Sequence, residues 1–229
     1  MKTDIEREAV LTVVVGSRLH GLHTEQSDID RRGIYKIPLL YIISPYRDAS
    51  TTHWVEGEKE QDADDTSYEI RHFCKLASQC NPSVLEVLWS NIVIGTTPLG
   101  EELRANRSRF LDSKRIHDSH KGYAANQLKK MYLFEPNPTR TPKAAVAYIR
   151  VLQQAVELLA TGDFSPQVAK DRDFLMEVKY NFSVDLIPEL SRRFAALQAE
   201  LELVYKNNEG RFHSNIEWVE NFLLRAYTE

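Results

Sequence analysis

The hydrophobic pattern changes period near residue 100, and no single-layer fold accommodates both halves. Before that point the short runs LTVVVG (11–16), IDRRGIYKI (29–37), TTHWVE (51–56) and DTSYEI (65–70) alternate with turn residues and one or two helices. Such runs are β-branched or aromatic, and their alternation with helical stretches is mixed α/β patterning. After it, HKGYAANQLKKMYLF, PKAAVAYIRVLQQAVELLA, LIPELSRRFAALQAELELVY and NIEWVENFLLRAY each place apolar residues three and four apart. That is the signature of amphipathic helices. The breaks FEPNPTRTP (134–142) and TGDFSP (161–166) interrupt them, because proline lacks a donor and biases its predecessor toward extended geometry. Two lobes are expected: a small mixed sheet with helices over 1–100, then a helical bundle over 101–229. The expected fold class is α+β.

Composition excludes several classes of function. Apolar stretches such as Val13–Val15 and Leu39–Ile43 fall short of the roughly 20 residues that cross a bilayer, and MKTDIEREAV lacks the apolar region of a signal peptide. Cytoplasmic residence without membrane contact is the expectation. Cys74 and Cys80 read as two positions of one helix, six apart and on different faces, so they are expected as buried small hydrophobes and not as a disulfide. The net charge of −4 argues against coating nucleic acid by bulk electrostatics. Its distribution is uneven: residues 104–150 carry 11 Lys+Arg against 3 Asp+Glu, whereas 1–103 carry 10 against 17 and 151–229 carry 8 against 13. The basic middle segment suits an acidic metal site or a polyanionic substrate, or serves only as a solvated face.

Within the first half, QCNPSVLEVLWS reads as the end of one helix and the start of another, with Asn81 as N-cap and Pro82 as the first helical residue. Glu86 on the second helix reads as a surface glutamate. The segment GSRLHGLHTEQSDIDRRGIY (16–35) carries the chemistry. If SDIDRRGIY is a strand, Asp28 and Asp30 project from one face while Ile29 enters the core, since strand side chains alternate. Neighbouring carboxylates repel unless a cation lies between them. Mg²⁺ is the natural candidate, often held by one or two carboxylates plus substrate phosphates. Gly16 and Ser17 follow the buried-strand pattern LTVVV, at a strand-to-helix junction where backbone N–H groups suit phosphate.

Gly16-Ser17, a spacer of ten residues, then Asp28-Ile29-Asp30 resembles the signature of the DNA polymerase β nucleotidyltransferase superfamily. The longer strings GSRLHGL, YEIRHFCKLA, NPSVLEVLWS, KGYAANQLKK and KAAVAYIRVL are similar to its predicted-nucleotidyltransferase branch, found beside bacterial and phage RNA-repair genes. The resemblance implies a polymerase β-like lobe followed by a helical lobe. It implies transfer of a nucleoside monophosphate from a nucleoside triphosphate to a hydroxyl acceptor, with two Mg²⁺ ions, or Mn²⁺ in their place, and pyrophosphate release. Acceptors include an RNA end, a tRNA, a protein side chain or a small molecule. A third carboxylate is implied on a neighbouring strand. Asp65, at the start of the run leading into YEIRHF, matches where the family's third acid falls, and Asp64 is the alternative within EGEKEQDADDTSYEI (56–70). Glu69 is a weaker candidate.

The basic segment then acquires a purpose. Lys114 and Lys121 are seven apart and share a helix face, as do Lys143 and Arg150 on the next helix. Lys121 or Lys143 is expected to neutralise triphosphate oxygens, and Tyr123 to stack on or hydrogen-bond the nucleoside. His117-Asp118 resembles the dipeptide of HD phosphohydrolases but lacks the further ligands of that site. The pairs His117/His120 and His20/His23 lack the third and fourth ligands of a zinc site. No acyl-transfer nucleophile and no Walker loop is present. The competing expectation is a non-catalytic nucleotide sensor or antitoxin-like interaction module that kept the fold. The oligomeric state is not legible.

Overall fold

The computed structural model describes residues 6–46, 52–53, 65–132, 140–168 and 170–228. In chain order its elements are β1 (Glu8–Val14), α1 (Gly16–Leu19), β2 (Arg31–Lys36), α2 (Leu39–Ile43), β3 (Thr52–His53), β4 (Thr66–Glu69), α3 (Ile70–Ser78), α4 (Pro82–Trp89) and β5 (Val93–Thr96). Helices α5 (Pro98–Ala105), α6 (Ser113–Tyr132), α7 (Arg140–Thr161), α8 (Arg172–Tyr180), α9 (Ile187–Asn208) and α10 (Ile216–Thr228) follow. The chain is a mixed α+β protein. It groups into two compact units: Met1–Ser78 with Ser83–Phe110 and Ser214–Glu229, and Gln79–Pro82 with Leu111–His213. The last helix therefore groups with the sheet.

The first unit is organised by a sheet of order β3-β4-β2-β1-β5. Strand β1 pairs antiparallel with β2 and β5, and β2 pairs parallel with β4. All of Val10–Val14 is buried, the continuous apolar run of a strand covered on both faces. Pro82 opens α4 as its first helical residue, and α4 is buried almost all round. Glu86, 4% exposed, is thus not on the surface; its Oε1 lies 3.4 Å from the buried His20 Nε2. Helix α3 starts directly from β4, where Glu69 Oε2 accepts the N–H groups of Arg71 and His72. Tyr227 of α10 donates to the other oxygen of Glu69, so one buried carboxylate ties the last helix to the start of α3. Trp218 of the same helix meets Phe110 edge-on and stacks against Phe222.

In the second unit α7 is the central helix, packed between α6 and α9. Its residues Ala145, Tyr148, Ile149, Leu152, Ala155 and Leu159 are buried, and the Tyr148 ring lies 4.1 Å from that of Phe194 on α9. Cys80 is not helical: it sits in the turn between α3 and α4 at φ 52, with its thiol 3.9 Å from the Asp112 carbonyl. Both cysteines are free and buried. Among the described residues no helix is long and apolar enough to cross a membrane.

Candidate active site

The acidic segment is not part of the strand. Pairing of β2 with β1 begins at Arg31 opposite Val14, and residues 27–30 precede it as irregular chain. The expected alternation accordingly fails: Ile29 is 50% exposed instead of entering the core. What holds the segment is the turn after β1. The Val15 N–H donates to the Asp30 carbonyl at 2.9 Å. Arg18 of α1 donates through Nε to the Asp28 carbonyl at 3.2 Å and through Nη2 to the Ser27 carbonyl at 2.7 Å. These bonds fix the backbone on either side of the aspartates and leave the Asp28 carboxylate exposed.

Asp30 is seated on Gly16. The glycine has φ +68, and a Cβ added there would lie 2.0 Å from Asp30 Oδ2 and 2.9 Å from its Cγ. Any side chain at position 16 would occupy the carboxylate's place, and the left-handed backbone already disfavours one. The Gly-Ser turn and the Asp-x-Asp segment are one interlocked piece, with Ser17 half-buried beside it.

Asp65 immediately precedes β4, whose Thr66 is in register with Arg32. The parallel pairing thereby brings Asp65 next to the residue that follows Asp30. The Arg31 N–H donates to Asp65 Oδ1 at 2.9 Å, and the Arg31 guanidinium lies 3.1 Å from Asp65 Oδ2. The Asp65 side chain is wholly buried, and its Oδ2 stands at ion-pair distance without hydrogen-bond alignment. Asp64 and the carboxylates Glu56, Glu58, Glu60 and Asp62 lie outside the described residues.

The donor set fits a hard divalent cation, since Asp28 and Asp30 offer carboxylate oxygens and Mg²⁺ ordinarily takes one or two of these with substrate phosphates completing its shell. Among the described residues no three His, Cys, Asp or Glu side chains are gathered closely enough to hold a metal by themselves. Asp65 is engaged by Arg31. The thiols offer no alternative nucleophile: burial pushes Cys74 far up and Cys80 up to about 12, so neither is a thiolate at neutral pH.

The expected nucleotide-binding residues Lys121, Tyr123 and Lys143 belong to the second unit. Lys121 Nζ is 2.6 Å from Glu202 Oε1 on α9, Lys143 is exposed on α7, and Tyr123 is half-buried on α6. His117 is stacked on Tyr205, with Nδ1 2.9 Å from Asp118 and Nε2 3.2 Å from Glu202. The hydrogen bonds from Lys121 and His117 hold the Glu202 carboxyl below the usual range; those from Lys114 and His117 do the same for Asp118. The His117-Asp118 dipeptide is thus absorbed in a contact between α6 and α9. The His20–Glu86 pair, just beyond α1, is a polar feature of this region that sequence spacing did not reveal, because its partners are 66 residues apart.

A mixed sheet whose first strand ends in a glycine turn, packed under an Asp-x-Asp segment, defines the polymerase β-like nucleotidyltransferase class. The family model described as RNA repair pathway DNA polymerase beta family (RlaP) matches residues 2–218, and the chain belongs to that family. No curated protein matches the chain.

Proposed function

We propose that this nucleotidyltransferase moves a nucleoside monophosphate from a nucleoside triphosphate to a hydroxyl acceptor, with an RNA or tRNA end as the acceptor class and pyrophosphate as leaving group. The observation that carries the reading is the seating of Asp30 on Gly16. An enzyme of this kind needs the phosphate-binding turn and the metal carboxylates at fixed separation, since misplacement by about 1 Å costs two orders of magnitude in rate. Asp28 and Asp30 would hold Mg²⁺, or Mn²⁺ in its place. When bound, the ion supplies charge neutralisation at the phosphates and lowers the pKa of a coordinated hydroxyl. Gly16 admits the phosphates close to the backbone and Ser17 adds a hydroxyl donor. Arg18 keeps the acidic segment from drifting by holding the Ser27 and Asp28 carbonyls. Asp65 is the proposed third carboxylate, and Arg31 orients it. Lys121, Tyr123 and Lys143, in the second unit, are the proposed nucleotide contacts.

The test is incubation with each α-labelled triphosphate, a divalent metal and total cellular RNA, followed by size separation and nuclease digestion. Metal-dependent label in nuclease-sensitive product, absent with folded Asp28→Asn, is the expected result; no transfer from any triphosphate would overturn it. A non-catalytic nucleotide sensor is the second reading, favoured by the engagement of Asp65 with Arg31. It predicts triphosphate binding that survives without any incorporation.

A further inference from the structure

Helix α4 carries a single charged residue, Glu86, in the run PSVLEVLW. Val84, Leu85, Val87 and Leu88 around it are buried, and so is Glu86 itself. Placing a carboxyl group in such surroundings is costly, and a buried ionisable pair is often no more stabilising than an apolar pair of the same volume. Stability alone therefore favours an apolar residue at this position.

What the polar groups of α4 reach gives Glu86 another use. Ser90, the buried residue directly after the helix, donates its hydroxyl to the Val14 carbonyl at 2.8 Å. Glu86 Oε1 lies 3.4 Å from Nε2 of His20. Val14 stands two residues before Gly16 and His20 four after it, so α4 touches the chain on both sides of the glycine turn. The turn is closed by its own backbone: the His20 N–H donates to the Gly16 carbonyl at 3.1 Å and the Leu22 N–H to the Ser17 carbonyl at 2.9 Å. Those local bonds shape the turn. They do not fix it against β1, whereas two contacts to one buried helix do.

We propose that Glu86, His20 and Ser90 are positioning residues of the nucleotidyl-transfer site. Through them α4 holds Gly16 and Ser17, and with Gly16 the Asp30 carboxylate seated on it, at one place relative to the end of β1. All of these residues belong to the first unit. The three act through the turn and the carboxylate, not on the reacting atoms. Their effect on rate rests on the transferase reading; their hold on the turn does not.

The experiment compares the full chain with His20→Leu/Glu86→Met and with Ser90→Ala. Each is followed by thermal melting, by peptide-resolved hydrogen exchange, and by incorporation from α-labelled triphosphates into total cellular RNA. The double variant replaces the polar pair by apolar side chains of similar volume and should melt no lower than wild type. Residues 13–22 should nevertheless exchange about tenfold faster in both variants, while α3 and α10 of the same unit exchange as in wild type. Incorporation at saturating triphosphate should fall about a hundredfold in the double variant, the loss expected when a reacting group shifts by about 1 Å. In Ser90→Ala, which removes one hydroxyl and decides the matter if the double variant does not fold, it should fall about tenfold. Unchanged exchange over residues 13–22 in a folded variant would overturn the proposal. So would faster exchange spread equally over α3 and α10, the mark of a general loss of stability, or wild-type incorporation in a variant whose turn has loosened. A wild-type chain that transfers no label ends the transferase reading alone, because the exchange comparison still decides whether α4 holds the turn.

Discussion

Replacement of Gly16 by alanine isolates the interlock between the glycine turn and the acidic segment. The new Cβ would lie 2.0 Å from Asp30 Oδ2. Carbon atoms make good contacts at 3.5–4.0 Å, so the carboxylate must retreat by roughly 1.5 Å. Two costs add. The left-handed backbone penalises any side chain by about 1–2 kcal/mol, and the forced repacking contributes about 1–3 kcal/mol more. Gly21 provides the control, because it has φ +70 but nothing within 4 Å of an added Cβ. Gly21→Ala should therefore show only the backbone cost. For a protein of this size each kcal/mol moves Tm by about 2–4 °C, so Gly16→Ala should melt several degrees below Gly21→Ala. In an Asp30→Ala background the extra penalty of Gly16→Ala should vanish, leaving a coupling of about 1–3 kcal/mol in the double-mutant cycle. Nucleotide transfer should fall about a hundredfold in Gly16→Ala and far less in Gly21→Ala, because only the first displaces the carboxylate. Paired thermal melts and incorporation rates supply the measurements. Equal penalties at the two glycines, or a Gly16→Ala penalty that stays above that of Gly21→Ala without the Asp30 carboxylate, would refute the reasoning.

Three further outcomes are expected. Tyr227→Phe removes the donor to one oxygen of Glu69, a residue 1% exposed, and should cost about 1–3 kcal/mol in urea unfolding; an unchanged midpoint would show that the hydroxyl is dispensable. Asp118 and Glu202 have depressed carboxyl pKa values, so their ion pairs stabilise the folded state above the unfolded carboxyl pKa and that contribution is lost as pH falls through the depressed folded values. Tm should accordingly drop as pH falls below the ordinary carboxyl pKa of about 4, and Glu202→Gln should flatten part of that slope, by a small and salt-sensitive amount because both groups are largely exposed. Lys121→Glu and Lys143→Glu should each raise the apparent KM for triphosphate, with Glu202→Gln as the control for the broken Lys121 pair; unchanged kinetics in both reversals would remove these lysines from the nucleotide site.

The sequence carried the architecture where burial is encoded in a local run. LTVVV, with every residue apolar or a threonine, could only be a strand covered on both faces, and it is the second strand from one edge of the sheet. The spacing from Gly16-Ser17 to Asp28 likewise located the interlocked turn. The alternation argument misplaced Ile29 because it presupposes a pleated strand, and pairing starts only at Arg31. The surface reading of Glu86 fails because spacing alone does not show that α4 is buried almost all round; the neighbour of Glu86 is His20, a tertiary contact. Contacts such as Arg31 with Asp65, Lys121 with Glu202 and Tyr227 with Glu69 depend on which elements meet, and no local pattern encodes that.

The return of α10 to the sheet-bearing unit bears on synthesis at the ribosome. Everything from β1 to α5 leaves the ribosomal tunnel long before Ile216–Thr228 does. Until that final stretch appears, Glu69 lacks its phenol partner and Phe110 lacks the indole that meets its edge. The nascent first unit therefore waits, incompletely packed, while about a hundred intervening residues are translated. A stop codon placed at Ile216 should accordingly harm yield as much as a lesion in β1, although it spares every residue of the glycine turn and its aspartates.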